Sequence, residues 1–184
     1  MFARFRRARP DPRIPSTVYG AIVAQARTRA LYTDLAVPDT VEGRFEMVVA
    51  HMALVLRRLG RGDEAAKAVG QGVFDVFCDE TDDALRELGV KDTSVGKRMR
   101  FLAEAYYGRA ATYDGALATA DAEELAAALR RTVYSGEGAV AAPALAAYIL
   151  ASDGALAATP VDRVIAGAIV WPPILLPAPA ENQP

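Results

Sequence analysis

The sequence is poor in the residues that carry chemistry. Cys78 is its only cysteine and His51 its only histidine. A single cysteine excludes an intrachain disulfide and a thiolate zinc cluster, and leaves Cys78 as a small core-type hydrophobe. Catalytic triads and most metal sites need a histidine fixed by partners. A di-iron bundle needs Glu-x-x-His pairs, and Val48 stands where that glutamate would precede His51. No phosphate loop, dinucleotide fingerprint, serine elbow or kinase signature occurs, and Gly136-Glu-Gly138 reads as a loop between helices. Asp75, Asp79, Asp82 and Asp83 lack the glycine and distal glutamate of an EF-hand and run along a helix instead of converging. The chain therefore reads as a non-enzyme without a cofactor or metal.

Long apolar runs are missing too. The longest, Val164 to Leu176, contains Pro172 and Pro173 and falls short of the ~20 residues that span a bilayer. The basic N-terminus runs into prolines instead of an apolar stretch, so no secretory signal is expected. Pro10, Pro12 and Pro15 also argue against an amphipathic transit helix. The expected location is the cytoplasm, in solution or in peripheral contact with a membrane. No charge sign dominates: the formal net charge is −2, which disfavours DNA or general nucleic-acid binding.

What is abundant is alanine, with few β-branched runs, and this favours helix. The 184 residues suffice for one domain with a real core. The expected fold is all-α, a single bundle-like domain of about six to eight helices with short loops. Residues 1–15 read as a basic, proline-containing arm in which Arg4, Arg6, Arg7, Arg9 and Arg13 crowd together. Residues 16–168 form the domain, and 169–184 a proline-rich extended tail.

Ser16 or Thr17 is expected to cap a helix to about Tyr32, and Asp39, with Glu42 three residues on, to cap the next. That helix, about 40–59, carries Val41, Phe45, Val49, Met52, Leu56 and Leu59 on one stripe and Met47, Ala50 and Leu54 almost opposite. It reads as a buried central helix whose polar gap holds Glu42, Glu46 and Arg57. Asp63 starts a third helix with a kink expected near Gly70 and Gly72. Beyond it Val73, Phe77, Ala84 and Leu88 face inward, and Asp75, Asp79, Asp82 and Arg86 face out. Gly89 is a natural left-handed stop. Asp92, Thr93 or Ser94 caps a fourth helix with Val95, Met99, Leu102, Tyr106 and Ala110 or Tyr113 on its core face. Further helices are expected over Asp121 to Tyr134, Ala139 to Ala151 and Pro160 to Arg163.

Lys97, Arg98 and Arg100 sit in the first turns of the fourth helix, where cations oppose the helix dipole. Two readings stand for them: pairing with Asp82, Asp83 and Glu87 across the Gly89 turn, or meeting a partner or an anionic surface. His51, off the main stripe, is read as structural or as a partner contact. The alternative is an enzyme or haem binder using His51 as a ligand, with Met47, Met52 or Met99 opposite, and a third reading is a general helical interaction module.

Two stretches then resemble a known family. Val37-Pro-Asp-Thr-Val-Glu-Gly-Arg-Phe-Glu46 with His51 is one. Asp82-Asp-Ala-Leu-Arg-Glu-Leu-Gly89 with Lys97-Arg98-Met99 and Tyr107-Gly-Arg109 is the other. Tyr19-Gly20 and Tyr32-Thr-Asp34 also fit. Over about residues 16–135 the chain is similar to ubiquinol–cytochrome c chaperones, assembly factors for the cytochrome bc1 complex of mitochondria and alphaproteobacteria. The C-terminal third matches only loosely. The resemblance implies a protein that holds newly made cytochrome b for haem loading and assembly. In mitochondria it implies a small partner protein and a place near the ribosomal exit. Expected client or partner contacts are Glu46, His51, Asp82, Asp83, Arg86, Lys97, Arg98, Arg100, Tyr107 and Arg109. The basic arm would add about 1 kcal/mol per cation near an anionic membrane.

Overall fold

Helix-forming composition and well-placed caps produce eight α-helices and no strand among the described residues. The computed structural model describes residues 11–87, 89, 92–136 and 139–174, and the side chains of 92–95, 98 and 139 lie outside that description. The helices are α1 (Arg13–Ala26), α2 (Arg29–Thr33), α3 (Val41–Gly60), α4 (Glu64–Glu87), α5 (Asp92–Thr119), α6 (Ala122–Thr132), α7 (Ala142–Ala158) and α8 (Val161–Ile165). A single 3-10 turn, Ala139–Ala141, precedes α7.

The first helix starts earlier than its polar residues suggest. The Asp11 carboxylate accepts from the backbone N–H of Arg13 at 3.0 Å and pairs with its guanidinium, so the end of the supposed arm is already helical. Pro15 is tolerated there because the first turn needs no backbone donor. Ser16 and Thr17 are not caps. Their hydroxyls donate back one turn, to the carbonyls of Pro12 and Arg13. The expected single helix to Tyr32 is broken at Thr28, whose backbone is extended (ψ 124°).

Thr40, not Asp39, caps α3 by accepting from the N–H of Gly43 at 3.1 Å, and Asp39 instead binds Arg44 at 2.6 Å. Asp63 caps α4 through the N–H of Ala66, and Asp121 caps α6 through that of Glu124, each at 2.9 Å. Gly89 has φ +79°, as its place after α4 predicts. Through Gly70 and Gly72, where a kink was expected, α4 runs as one unbroken helix. Those glycines serve close packing: a Cβ at position 72 would lie 2.5 Å from the Pro15 ring, and one at 70 would lie 3.5 Å from Leu59.

The core gathers around α3, against which α1, α4, α5 and α7 pack. Met47, Val49, Met52, Leu54, Val55 and Leu59 are buried on its several faces, as a central helix requires. The two ends of the expected stripe differ. Val41 is 72% exposed, and Phe45 is half-buried, packed against the core while also lining an open cleft. Helices α4 and α5 are joined by the short turn at Gly89. Among the described residues, none is buried beyond Phe77 on α4 or before Tyr106 on α5. The distal half of α4 and the start of α5 therefore leave the core as a thinly packed pair, and Ala84, expected inward, is exposed. Leu88 lies outside the described residues. Cys78 sits half-buried at the start of this pair.

Residues 168–174, after α8, have no regular secondary structure and are not free of the core. Ile169, Trp171 and Ile174 pack on the core, and the Trp171 ring meets His51 edge-on at 5.1 Å. No helix among the described residues is long and apolar enough to cross a membrane.

Candidate functional site

A cleft of about 550 Å³ opens between α1, the first turns of α3, the distal half of α4 and the proximal half of α5. Its apolar lining comes from Phe45 and Val48 of α3, Phe77 and Leu85 of α4, and Phe101 and Leu102 of α5. Phe101 is 68% exposed. The aromatic floor is continuous with the core: Phe45 lies 6.1 Å from Phe77, and Phe77 lies 6.2 Å from Tyr106.

At one end of the cleft Glu46 and Arg109 form a two-pronged ion pair, with both Nε–Oε2 and Nη2–Oε1 at 2.5 Å. It is the shape-matched geometry of guanidinium and carboxylate. The Glu46 side chain is almost wholly covered, and Arg109 also donates to the carbonyl of Ala105. Burial pushes the Glu46 carboxyl up, and the Arg109 bonds pull it back only in part. Glu46 was expected in a polar gap of α3. It is buried instead, because a cation 63 residues away in sequence supplies the charge that makes burial tolerable.

The other charges around the cleft are unevenly placed. Arg44 is bound to Asp39 and lies over the Tyr32 ring at 5.7 Å. That leaves Glu42 and Glu80 in the lining against Arg27. Exposed acids continue along α4 at Asp79, Asp83 and Glu87.

The remaining expected contact residues scatter. Asp82 holds Arg86 on α4 at 2.8 Å, one helical turn apart, and Asp75 accepts from Gln71. Among the described residues no group of three His, Cys, Asp or Glu side chains is placed to hold a metal ion. Lys97 and Arg100 are exposed and line no part of the cleft, and none of Asp82, Asp83 or Glu87 lies in an ion pair with either. The Arg98 side chain lies outside the described residues. Tyr107 is 59% exposed and stacks among Phe74 and Tyr106 at 5.4 Å from each, on a separate shallow hollow shared with Leu56 and Lys67.

His51 offers no surface. It is fully buried, which removes it as a client contact. Its Nδ1 lies 2.7 Å from the carbonyl of Met47, so that nitrogen carries the proton and donates. Its Nε2 lies 2.9 Å from the Tyr148 hydroxyl and accepts from it, while Gln25 donates to the same hydroxyl at 2.8 Å. Both ring nitrogens are thus engaged, leaving none to ligate a haem. Met47 and Met52 are core side chains. Desolvation depresses the imidazole to about 4, and the Met47 bond opposes this only weakly.

Sequence reasoning missed Phe101, Leu102 and Glu80 as neighbours, and assigned the exposed Val41 to the core. A signal was present. Phe101, Leu102, Ala105 and Arg109 share one helical face, and the first turns of α3 hold the family-like segment.

The profile of the family described as "Ubiquinol-cytochrome C chaperone" matches residues 33–171. It runs past the region of resemblance, through α7 and α8. Among solved structures, the crystal structure of the Cbp3 homolog from Brucella abortus is similar with a TM-score of 0.81. It is 39% identical over 88% of this chain and 90% of that one. Comparison with curated proteins gives no match. With most of its length matched by the family profile and a homologous fold at this identity, the chain belongs to the ubiquinol–cytochrome c chaperone family.

Proposed function

We propose that this protein binds newly made cytochrome b and supports its incorporation into the bc1 complex, using the α3–α4–α5 cleft as its client surface. One observation carries this reading. The two segments that resemble the family lie far apart in sequence, yet Val41 to Glu46 and Ala84, Leu85 and Arg109 line one cleft. The Glu46–Arg109 pair locks them together. A chaperone of this kind works by covering apolar client surface, so it needs an apolar cleft on a firm frame and no catalytic set. On this reading the protein is not an enzyme and acts in the cytoplasm beside the inner membrane.

The test is a deletion strain. Assembled bc1 complex should fall while cytochrome b transcript persists, and cytochrome b should co-purify with the tagged full chain from solubilised membranes. Normal bc1 levels and spectra in the deletion strain would sink the assignment.

A further inference from the structure

A helix at the surface normally turns polar residues outward and apolar ones inward. Helix α7 does the reverse. Its polar side chains, Tyr148, Ser152 and Asp153, are all engaged within the bundle. Tyr148 meets His51 and Gln25, Ser152 donates to the carbonyl of Tyr148, and Asp153 accepts from Arg57. Pro143, Ala147, Ala151, Gly154 and Ala158 are exposed. At 3.6 residues per turn these five fall on one stripe ~80° wide. No polar side chain of α7 falls on that stripe. The outer faces of α4, α5 and α6 are charged by contrast, with Asp79 and Asp83, Lys97 and Arg100, and Glu123 and Arg131. The two ends of the stripe differ in shape. Before it stands Val140, at 94% the most exposed large hydrophobic side chain among the described residues. Beyond it a groove of about 620 Å³ lies between the end of α7, α8 and the segment that follows. Ala155, Ala158, Pro160, Ala168 and Val170 form its apolar walls.

We propose that this face binds a second copy of the chain, with the two α7 helices packed antiparallel about a two-fold axis at the level of Ile149. A projecting side chain at one end and a hollow at the other make the surface complementary to itself. In that register Ala147 faces Ala151 of the second copy, Pro143 faces Ala155, and Val140 enters the groove at Ala158. Each contact occurs twice, as a two-fold interface requires. Residue size also selects the occupant. Helices that lie on membranes insert Trp, Phe or Leu, and this stripe has none. Alanine and glycine instead let two helices approach to the short end of the usual ~8–10 Å spacing. The uncharged stripe brings no like charges together across the axis. A face ~25 Å long and one helix wide, with Val140 and the groove, buries roughly 500 Å² on each copy. The total of about 1,000 Å² is the lower limit for a specific complex, so the dimer is weak and reversible. No residue of α7 lines the α3–α4–α5 cleft, so the inference stands apart from the client reading.

The experiment is sedimentation velocity on the full chain from ~1 to ~200 µM, where a dimer with Kd in the tens of micromolar is expected. Ala151→Glu sets like charges beside the axis and should raise Kd at least about tenfold. Helix content and melting temperature should hold, because position 151 is exposed. Ala151→Lys should act in the same way. Mixing the two variants should restore the dimer, since the axis brings position 151 of each copy beside the other. Val140→Ser should also weaken the dimer, by removing the side chain that fills the groove. A wild-type chain that stays monomeric at the highest concentration overturns the proposal. So does a dimer that Ala151→Glu leaves intact, or a mixture of the Glu and Lys variants that stays monomeric. A dimer abolished by Phe101→Ser places the contact at the cleft and overturns it as well. A monomeric chain whose α7 face captures a different helical protein, with capture lost in Ala151→Glu, does the same and gives the face to that partner.

Discussion

Acidification through the window set by His51 should destabilise this protein. The imidazole is fully buried and held at about 4, while an unfolded chain takes up its proton near 6.5. A histidine with a depressed folded value contributes stability that is complete above pH 6.5 and is lost as pH falls toward 4. At ~1.4 kcal/mol per pH unit, the whole window is worth about 3 kcal/mol, and the step from pH 7.5 to pH 5 about 2 kcal/mol. Because there is one histidine, a single imidazole resonance reports it directly by NMR. Because Trp171, the only tryptophan, lies against it, urea unfolding can be followed by fluorescence. The control is His51→Gln, which costs roughly 1 kcal/mol at pH 7.5 through its altered hydrogen bonds but should flatten the pH dependence. An imidazole titrating near 6.5 in the folded protein refutes the reasoning. So does a His51→Gln protein that loses as much stability as wild type between pH 7.5 and 5.

Other perturbations separate frame from cleft. Leu54→Ala should cost about 2–5 kcal/mol by opening a cavity in the middle of α3, whereas Phe45→Ala, half-buried in the cleft, should cost roughly 1–2 kcal/mol; urea midpoints decide. Arg109→Ala strands the Glu46 carboxylate and should cost about 3 kcal/mol at pH 7, with the deficit shrinking on acidification as Glu46 takes a proton. Gly72→Ala drives a Cβ into the Pro15 ring and should destabilise by about 1–3 kcal/mol, read as a lowered melting temperature. Lys97→Glu with Arg100→Glu should leave the melting temperature nearly unchanged, within ~0.5 kcal/mol, since both side chains are exposed.

Local punctuation was readable where one residue decides the outcome. Asp63, Gly89 and Asp121 act through bonds or dihedrals within a few residues, and each stands where its type predicts. Caps failed where two polar residues compete. Asp39 and Thr40 both suit the start of α3, and Arg44, a turn further on, draws Asp39 away. Gly70 and Gly72 looked like weak points because their use depends on Leu59 and Pro15, which sequence alone does not bring near. The site was legible as two segments but not as a cleft. His51 could not be placed without Tyr148 and Gln25, nor Glu46 without Arg109, for their partners stand 97, 26 and 63 residues away. Where burial is set by distant partners, helical periodicity on one helix cannot tell a core charge from a surface one.

The distribution of burial explains how one domain carries a sticky surface without collapsing onto it. An apolar cleft left open in a monomer tends to close, because covering its walls is worth ~25 cal/mol per Å². Closure here would require the α4–α5 pair to swing toward α3, and the Glu46–Arg109 pair stands at the joint. Its two parallel bonds fix the spacing between α3 and α5, and a nearly buried carboxylate cannot shed its cation without exposing an uncompensated charge. Below the joint, Phe74, Phe77 and Tyr106 interlock the base of the pair, with ring centroids 5.2–6.2 Å apart. Above it the helices are thinly packed. The ion pair is therefore a strut: it keeps the family-like segments close enough to form one cleft and far enough apart to keep that cleft open.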